Sequence, residues 1–268
     1  MELIQPKNSA ALTVIAGPCV VESLQMLHDI AGPLKELTES LAVPYVFKAS
    51  YRKANRSSAG SFTGVGDDNA LQYLQEIKQT YGVPILTDVH ESAEVATVAT
   101  VADVLQIPAF LCRQTELLVA AGHSGRTVNI KKGQFAAPDD MTKAVAKVRG
   151  TGNSNVWVCE RGTSFGYHDL VVDMRSLVLM RDTGCPVIFD ATHSLQKPSI
   201  GETSGGTPEL VPALTRAAVA LGIDGLFFET HPDPPKALSD AATQLPLHSI
   251  REYLTMAVEL HNFVHTRA

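Results

Sequence analysis

Short apolar runs recur along the chain, and each gives way to a stretch whose apolar positions repeat at intervals of three and four. The runs Leu12–Cys19, Tyr45–Ser50, Pro84–Val89, Val104–Pro108, Thr127–Lys131, Val156–Glu160, Pro186–Thr192 and Gly225–Thr230 predict strands. Between them the spacing predicts helices. Ser23 caps one that runs to about Leu41, with Gly32-Pro33 expected to break or kink it. Asp67 or Asp68 opens the next, with Leu71, Leu74 and Ile77 on its apolar face, and Ser92 caps a short Ala/Val helix. Further helices are expected over Thr115–Ala121, from Asp139 or Asp140 to Arg149, and over Val171–Met180, Pro208–Leu221 and His248–Phe263. Residues 2–12 predict a small cap or hairpin. The Ser/Gly-rich loop Ser57–Gly66 reads as mobile, and a second long Gly/Ser loop is expected over Ser199–Gly206.

Strand followed by helix, eight times with no break in composition, is the pattern of a parallel sheet covered by helices. It predicts a closed (β/α)8 barrel, one domain over residues 1–268 with a short N-terminal extension. A doubly wound open sheet ranks below it, because no Gly-rich dinucleotide turn follows any strand. With 268 residues, 45% of them hydrophobic, the chain can bury one core of that size. A net charge of −6 argues against nucleic acid as a partner, and no apolar run reaches the length of a membrane span. The N-terminal stretch lacks the basic and apolar segments of a signal peptide. Cys19, Cys112, Cys159 and Cys185 are widely spaced, which suggests reduced thiols and a cytoplasmic setting.

Position carries the chemical signal. Nearly every apolar run ends in a reactive or charged residue, in order Cys19, Lys48, Asp88 with His90, Gln106, Lys131 with Lys132, Glu160 with Arg161, Asp190 with His193, and Glu229 with His231. The starts of the runs carry Pro, Gly and Val instead. Barrel enzymes keep chemistry at the C-terminal ends of their strands.

The stretch Tyr45–Ser58, YVFKASYRKANRSS, gathers cations beside small polar donors, although the chain as a whole is acidic. That suits a phosphate or carboxylate site better than a solvated basic loop. Strand alternation puts Lys48 and Ser50 on one face, Phe47 and Ala49 on the other. Lys48, Lys53, Lys131 and Arg161 should face the mouth, with Arg56, Ser57 and Arg113 further out, so a ligand with two anionic ends, or two ligands, is expected. Asp88, Asp190 and Glu160 would hold these cations or move protons. Cys19, His193 and Glu229 end strands that adjoin in a closed barrel, and Asp240 follows in the next loop. The set suits zinc or iron, with manganese possible. A lone cysteine is more often a small buried hydrophobe; the position of Cys19 after Gly17-Pro18 favours the ligand. The other three cysteines read as structural, and His90, His168 and His231 as equally suited to hydrogen-bonded packing or to the chemistry of the mouth.

The segments IAGPCVVES, FKASYRKANRSS, ILTDVH, QIPAFLCRQT, NIKKGQF, CERGTSFGY, FDATHSLQ and FFETHPDP cover nearly the whole chain. In them the sequence resembles the 3-deoxy-D-manno-octulosonate 8-phosphate synthases, also called 2-dehydro-3-deoxyphosphooctonate aldolases. Lys53-Ala54-Asn55-Arg56-Ser57-Ser58 is the best discriminator, since the sister heptulosonate phosphate family looks like Lys-Pro-Arg-Thr-Ser there. The resemblance implies a barrel, usually a homotetramer. It implies condensation of phosphoenolpyruvate with D-arabinose 5-phosphate and water, releasing inorganic phosphate, on the path to lipopolysaccharide. By motif, Lys131 and Arg161 would hold the phosphoenolpyruvate phosphate, and Lys48, Ser50 and Lys53 its carboxylate and reacting carbons. Asn55, Arg56 and Ser57 would meet the pentose phosphate, Asp88 and Gln106 complete the substrate set, and Arg113 would reach a neighbouring subunit's site. Lys53, Asn55, His193, Asp240 and Cys19 are the expected catalytic residues. Cys19, where metal-free members carry asparagine, implies the metal form, with Cys19, His193, Glu229 and Asp240 as ligands. One departure is Ala241, where a glycine commonly follows the aspartate. The rivals are a heptulosonate phosphate synthase using erythrose 4-phosphate and a catalytically silent phosphosugar-binding barrel.

Overall fold

Parallel pairing runs unbroken around a ring of strands. In chain order these are β1 Thr13–Gly17, β2 Tyr45–Lys48, β3 Ile85–Asp88, β4 Val104–Ile107, β5 Thr127–Lys131, β6 Val156–Glu160, β7 Val187–Asp190 and β8 Gly225–His231. Each pairs with the next, and β8 pairs back to β1 with Thr13 opposite Gly225 and Gly17 opposite Glu229, so the sheet closes. The fold is the (β/α)8 barrel. This is a computed structural model describing residues 11–55, 60–198 and 205–266. Most of the cap expected over residues 2–12 therefore lies outside the described residues.

Alternation sorts each strand's side chains into two cores. One face of the ring packs against the helices through residues such as Val14, Phe47, Ile85, Leu105, Ile130, Val158 and Phe228. The other fills the barrel with Ile15, Val46, Leu86, Val104, Trp157, Cys159, Ile188 and Phe227, all at most 2% exposed. Burying one such apolar side chain stabilises the fold by about 1.5–3 kcal/mol. The same inward face, one step further along the strands, carries Lys48, Asp88, Gln106, Lys131, Asp190 and Glu229, every one of them buried. The apolar plug is thus the floor beneath a polar mouth.

The helices are α1 Leu24–Ser40, α2 Asp67–Tyr81, α3 Val95–Val98, α4 Thr115–His123, α5 Met141–Arg149, α6 Arg175–Leu179, α7 Val211–Ala220 and α8 Ile250–His265. Ser23 caps α1, its hydroxyl accepting the Met26 N–H at 3.2 Å. The break expected at Gly32-Pro33 does not occur. Helix α1 runs through Pro33, held by the buried row Ile30, Ala31, Leu34 and Leu37, while Gly32 lets Tyr81 of α2 approach closely. Ser92 is not a cap: α3 is a single turn preceded by Glu94, whose carboxylate takes the N–H groups of His90 and Glu91. Nor does a helix start at Val171. Leu170–Val171 pairs antiparallel with Thr163–Ser164, and α6 begins at Arg175, where Asp173 accepts the Arg175 N–H at 3.0 Å. Among the described residues no helix is long and apolar enough to cross a membrane.

Candidate active site at the barrel mouth

A cavity of about 320 Å³ opens at the C-terminal ends of the strands. Its wall includes Lys48, Ser50, Lys53, Asn55, Asp88, Gln106, Lys131, Arg161, His193, Glu229 and Asp240, all expected from the sequence. Cys19 lies just behind Asp240, fully buried. Arg113 is exposed on the loop after β4 and forms no part of this wall; its carbonyl accepts Lys147. Arg56 and Ser57 fall outside the described residues, as do parts of both Ser/Gly-rich loops.

Backbone ties place Cys19. The β1–β2 ladder continues past the strand ends, with the Ser50 N–H donating to Cys19 O and the Val21 N–H to Ser50 O. Gly17 is required for this approach, because a Cβ there would sit 2.0 Å from Lys48 O. The Lys48 ammonium donates to Cys19 O at 2.9 Å and to Glu229 Oε1 at 2.5 Å. Asp240 is reached by a different route. The segment after β8 returns to pair Leu245–Pro246 with Thr230–His231, so the intervening loop is pinned at both ends. Within it Asp240 adopts a left-handed backbone, φ +48°, and Ala241 does not. The Asp240 side chain meets Cys19 Sγ at 3.0 Å, Gln196 Nε2 at 3.1 Å and Lys53 Nζ at 3.5 Å.

Cys19, Glu229 and Asp240 offer ligand atoms within 4.8 Å of one another. His193 completes the group, its Nε2 lying 3.6 Å from Glu229 Oε1 and 4.0 Å from Asp240 Oδ2. Its Nδ1 donates to Asp190 Oδ2 at 2.8 Å, which turns Nε2 toward the two carboxylates. Glu229 Oε2 is buried and, among the described residues, has no hydrogen-bond partner. An imidazole nitrogen facing two carboxylates, a carboxylate oxygen left unpartnered among the described residues and a thiol form a donor set that suits a divalent transition ion. The residues present fit the metal expected from the sequence.

The adjoining wall is cationic. Lys131 donates to Asp190 Oδ2 at 2.6 Å, and its ammonium lies 4.1 Å from the centre of the Phe227 ring, with Lys48 at 5.7 Å from the same ring. Arg161 is buried; its Nη2 donates to Gln196 Oε1 at 3.2 Å, and among the described residues its Nη1 has no partner. Between the walls, Asp88 accepts Ser50 Oγ and, at 2.7 Å, Gln106 Nε2. Glu160, expected at the mouth, faces the helix layer instead, because it sits one residue out of phase with Cys159 and Arg161. There it pairs with Lys132 at 3.5 Å.

Electrostatics follow the geometry. Burial alone would raise the carboxyls of Asp88, Asp190, Glu229 and Asp240, but neighbouring cations outweigh it and hold all of them below the usual range. For Asp190 those neighbours are His193 and Lys131; for Glu229, Lys48 leads. Burial opposes the charge on Lys53, yet Cys19, Asp240 and Glu229 push it well above the ordinary lysine value. Burial drives the Cys19 thiol upward, with the Asp240 and Glu229 charges adding to it. Lys53 is therefore a donor, not a base, near neutrality.

Gln134, Gln196 and Glu94 were not singled out from sequence. Both glutamines line the cavity; neither ends an apolar run, the signal that marks Gln106. Glu94 accepts Arg52 and the N–H and ring of His90, so it fastens two wall residues to one carboxylate.

A family profile described as the DAHP synthetase I family matches residues 4–266. Among curated proteins the chain is similar to the 2-dehydro-3-deoxyphosphooctonate aldolase of Francisella philomiragia, 54% identical over 258 residues, 96% of this chain and 94% of that one. The protein of the same name in Xylella fastidiosa is 57% identical over 250 residues, 93% and 91% of the two chains. That of Nitrosococcus oceani is 57% identical over 245 residues, 91% and 88%.

Proposed function

The chain belongs to the DAHP synthetase I family, and on that premise we propose that it condenses phosphoenolpyruvate with D-arabinose 5-phosphate and water. The products are 3-deoxy-D-manno-octulosonate 8-phosphate and inorganic phosphate, and the reaction serves lipopolysaccharide biosynthesis. The names of the relatives and the Lys53–Ser58 stretch both favour the pentose over the shorter aldose. One structural observation carries the reading: Arg161 and Glu229 line one cavity, and among the described residues each leaves a buried side-chain atom, Nη1 and Oε2, without a partner. The first asks for an anion and the second for a cation.

On this reading Lys131 and Arg161 receive the phosphate of phosphoenolpyruvate. Lys48 and Ser50 hold its carboxylate end, with Asp88 fixing the Ser50 hydroxyl and Gln106. Asn55, Arg56 and Ser57 take the pentose phosphate at the rim. The enol carbon attacks the aldehyde carbon, water adds at the enol-phosphate carbon, and loss of phosphate leaves the ketone. Lys53, held protonated, donates to the alkoxide that forms from the aldehyde. Lys131 and Arg161 stabilise the departing phosphate. His193 and Asp240 hold and pass protons at the water's side of the cavity. Cys19, His193, Glu229 and Asp240 would hold zinc, iron or manganese. When bound, such an ion supplies Lewis acidity.

Self-association, as a homotetramer, would cover Phe110, Phe135, Phe165 and Tyr167, which are 53–95% exposed on loops around the mouth. It would also give exposed Arg113 a neighbouring site to enter. Four buried free thiols suit a cytoplasmic enzyme.

The deciding experiment measures phosphate release from phosphoenolpyruvate with each aldose in turn. Arabinose 5-phosphate should exceed erythrose 4-phosphate by about a hundredfold or more in kcat/KM. The reverse order would make the chain a heptulosonate phosphate synthase. Binding of both substrates without release would make it a silent sensor.

A further inference from the structure

Adjacent strand residues point to opposite faces. Lys131 enters the barrel; Lys132 turns outward and is nevertheless fully buried. Its ammonium meets Thr163 Oγ1 at 3.0 Å, the carbonyls of Gly162 at 3.3 Å and of Gly133 and Ala136 at 3.4 Å, and Glu160 Oε1 at 3.5 Å. Glu160 is itself fixed by the Gly162 N–H at 2.6 Å and the Ser176 hydroxyl at 2.7 Å. These oxygens come from two separate loops, one following β5 and one following β6. Gly162, with φ +91°, adopts a backbone that turns its carbonyl to the ammonium and that a side chain would resist. Carbonyls converge here as they would around a bound cation, and the lysine supplies that charge on a tether.

The two loops deliver the cationic wall. The first carries Gln134 into the cavity, and the second starts at Arg161. A backbone hydrogen bond from Ser164 to Gln134 at 3.0 Å is a further tie between them. We propose that Lys132 is a positioning residue that locks the loops after β5 and β6 together and so sets the spacing of Lys131 and Arg161 for a phosphate. It touches no substrate. Its effect falls on the phosphate of phosphoenolpyruvate, because every described partner of its ammonium lies after β5 or at and after the end of β6. The inference rests on the reading that this phosphate sits between Lys131 and Arg161.

The test is steady-state phosphate release, varying each substrate against saturation by the other, with thermal midpoints recorded alongside. Lys132→Met should raise KM for phosphoenolpyruvate by about tenfold or more, since small misplacement of such groups costs that much. KM for arabinose 5-phosphate should stay within about twofold. Thr163→Val keeps the ammonium and removes a single oxygen of the cage; it decides the matter should the methionine variant not fold. It should raise KM for phosphoenolpyruvate about threefold with its thermal midpoint little changed. Equal shifts in both KM values, or none in Thr163→Val, would overturn the proposal. Wild-type protein that releases no phosphate with either aldose would instead overturn the reading beneath it.

Discussion

The two walls of the mouth are built on the same eight-fold frame and solve opposite problems. The wall from β1, β7 and β8 crowds a thiol, an imidazole and two carboxylates together. The wall from β5 and β6 places an ammonium and a guanidinium side by side, with a second ammonium behind them. Left alone, each would repel itself. Each is therefore partly neutralised by the other's kind of charge: Lys48 and Lys53 reach the acidic wall, and Asp190 reaches the cationic one. Neutralisation stops one atom short on either side, at Glu229 Oε2 and Arg161 Nη1. A pocket that asks for a cation at one end and an anion at the other can orient a bifunctional reaction between them.

The largest break in this comparison comes from removing the unpartnered donor. Arg161→Met should lower kcat/KM about a thousandfold, mostly through phosphoenolpyruvate, as checked by phosphate release. Next is the acidic wall. Cys19→Asn should weaken metal retention about a hundredfold in a chelator competition and cut turnover with it, while wild-type activity should fall on chelation and return with added zinc, iron or manganese. Full activity of chelated wild type would remove the ion from the account. Asp190→Asn tests whether the walls are joined, because Asp190 Oδ2 accepts both Lys131 and His193. Both metal affinity and phosphoenolpyruvate affinity should drop together, by about tenfold each; a change in only one would separate the walls.

The smallest effect concerns pH. Burial pushes the Glu94 carboxyl up, but the hydrogen bonds from His90 outweigh it and bring it down to about 2 from an ordinary 4.5. A carboxyl lowered in the fold stabilises it fully above its unfolded value and loses that contribution as pH falls through the folded value. Wild type and Glu94→Gln should therefore differ in thermal midpoint above about pH 4.5 and converge as pH drops toward 2. A constant gap across that range would rule the linkage out.

Much of this was legible in the chain. Strand ends rich in reactive residues gave the barrel and its working face, because alternation and parallel order alone decide which side chains share a mouth. Cys19, His193, Glu229 and Asp240 converge as expected, although no two of them sit at a metal-finger spacing. What alternation also contained, and a list of strand ends hid, is that Glu160 and Lys132 are out of phase with Arg161 and Lys131. They belong to the outer layer. Local rules failed where tertiary contacts took over: Pro33 sits inside a helix that packing keeps whole, Val171 pairs in a hairpin, and Glu94 rather than Ser92 precedes α3, its carboxylate turned back to the His90 and Glu91 N–H groups. Gln196 was unreadable for another reason. Its value lies in spanning Asp240 and Arg161, and no single position announces a bridge.

Asp240 holds its backbone in a region that glycine occupies at no cost and most residues avoid. What holds it there is its own side chain, through Cys19, Gln196 and Lys53. Asp240→Gly would relax the backbone and strip those three groups of a shared acceptor in one stroke. Asp240→Asn, which tolerates the same backbone and keeps the side chain's size, separates the conformational cost of this corner from its charge.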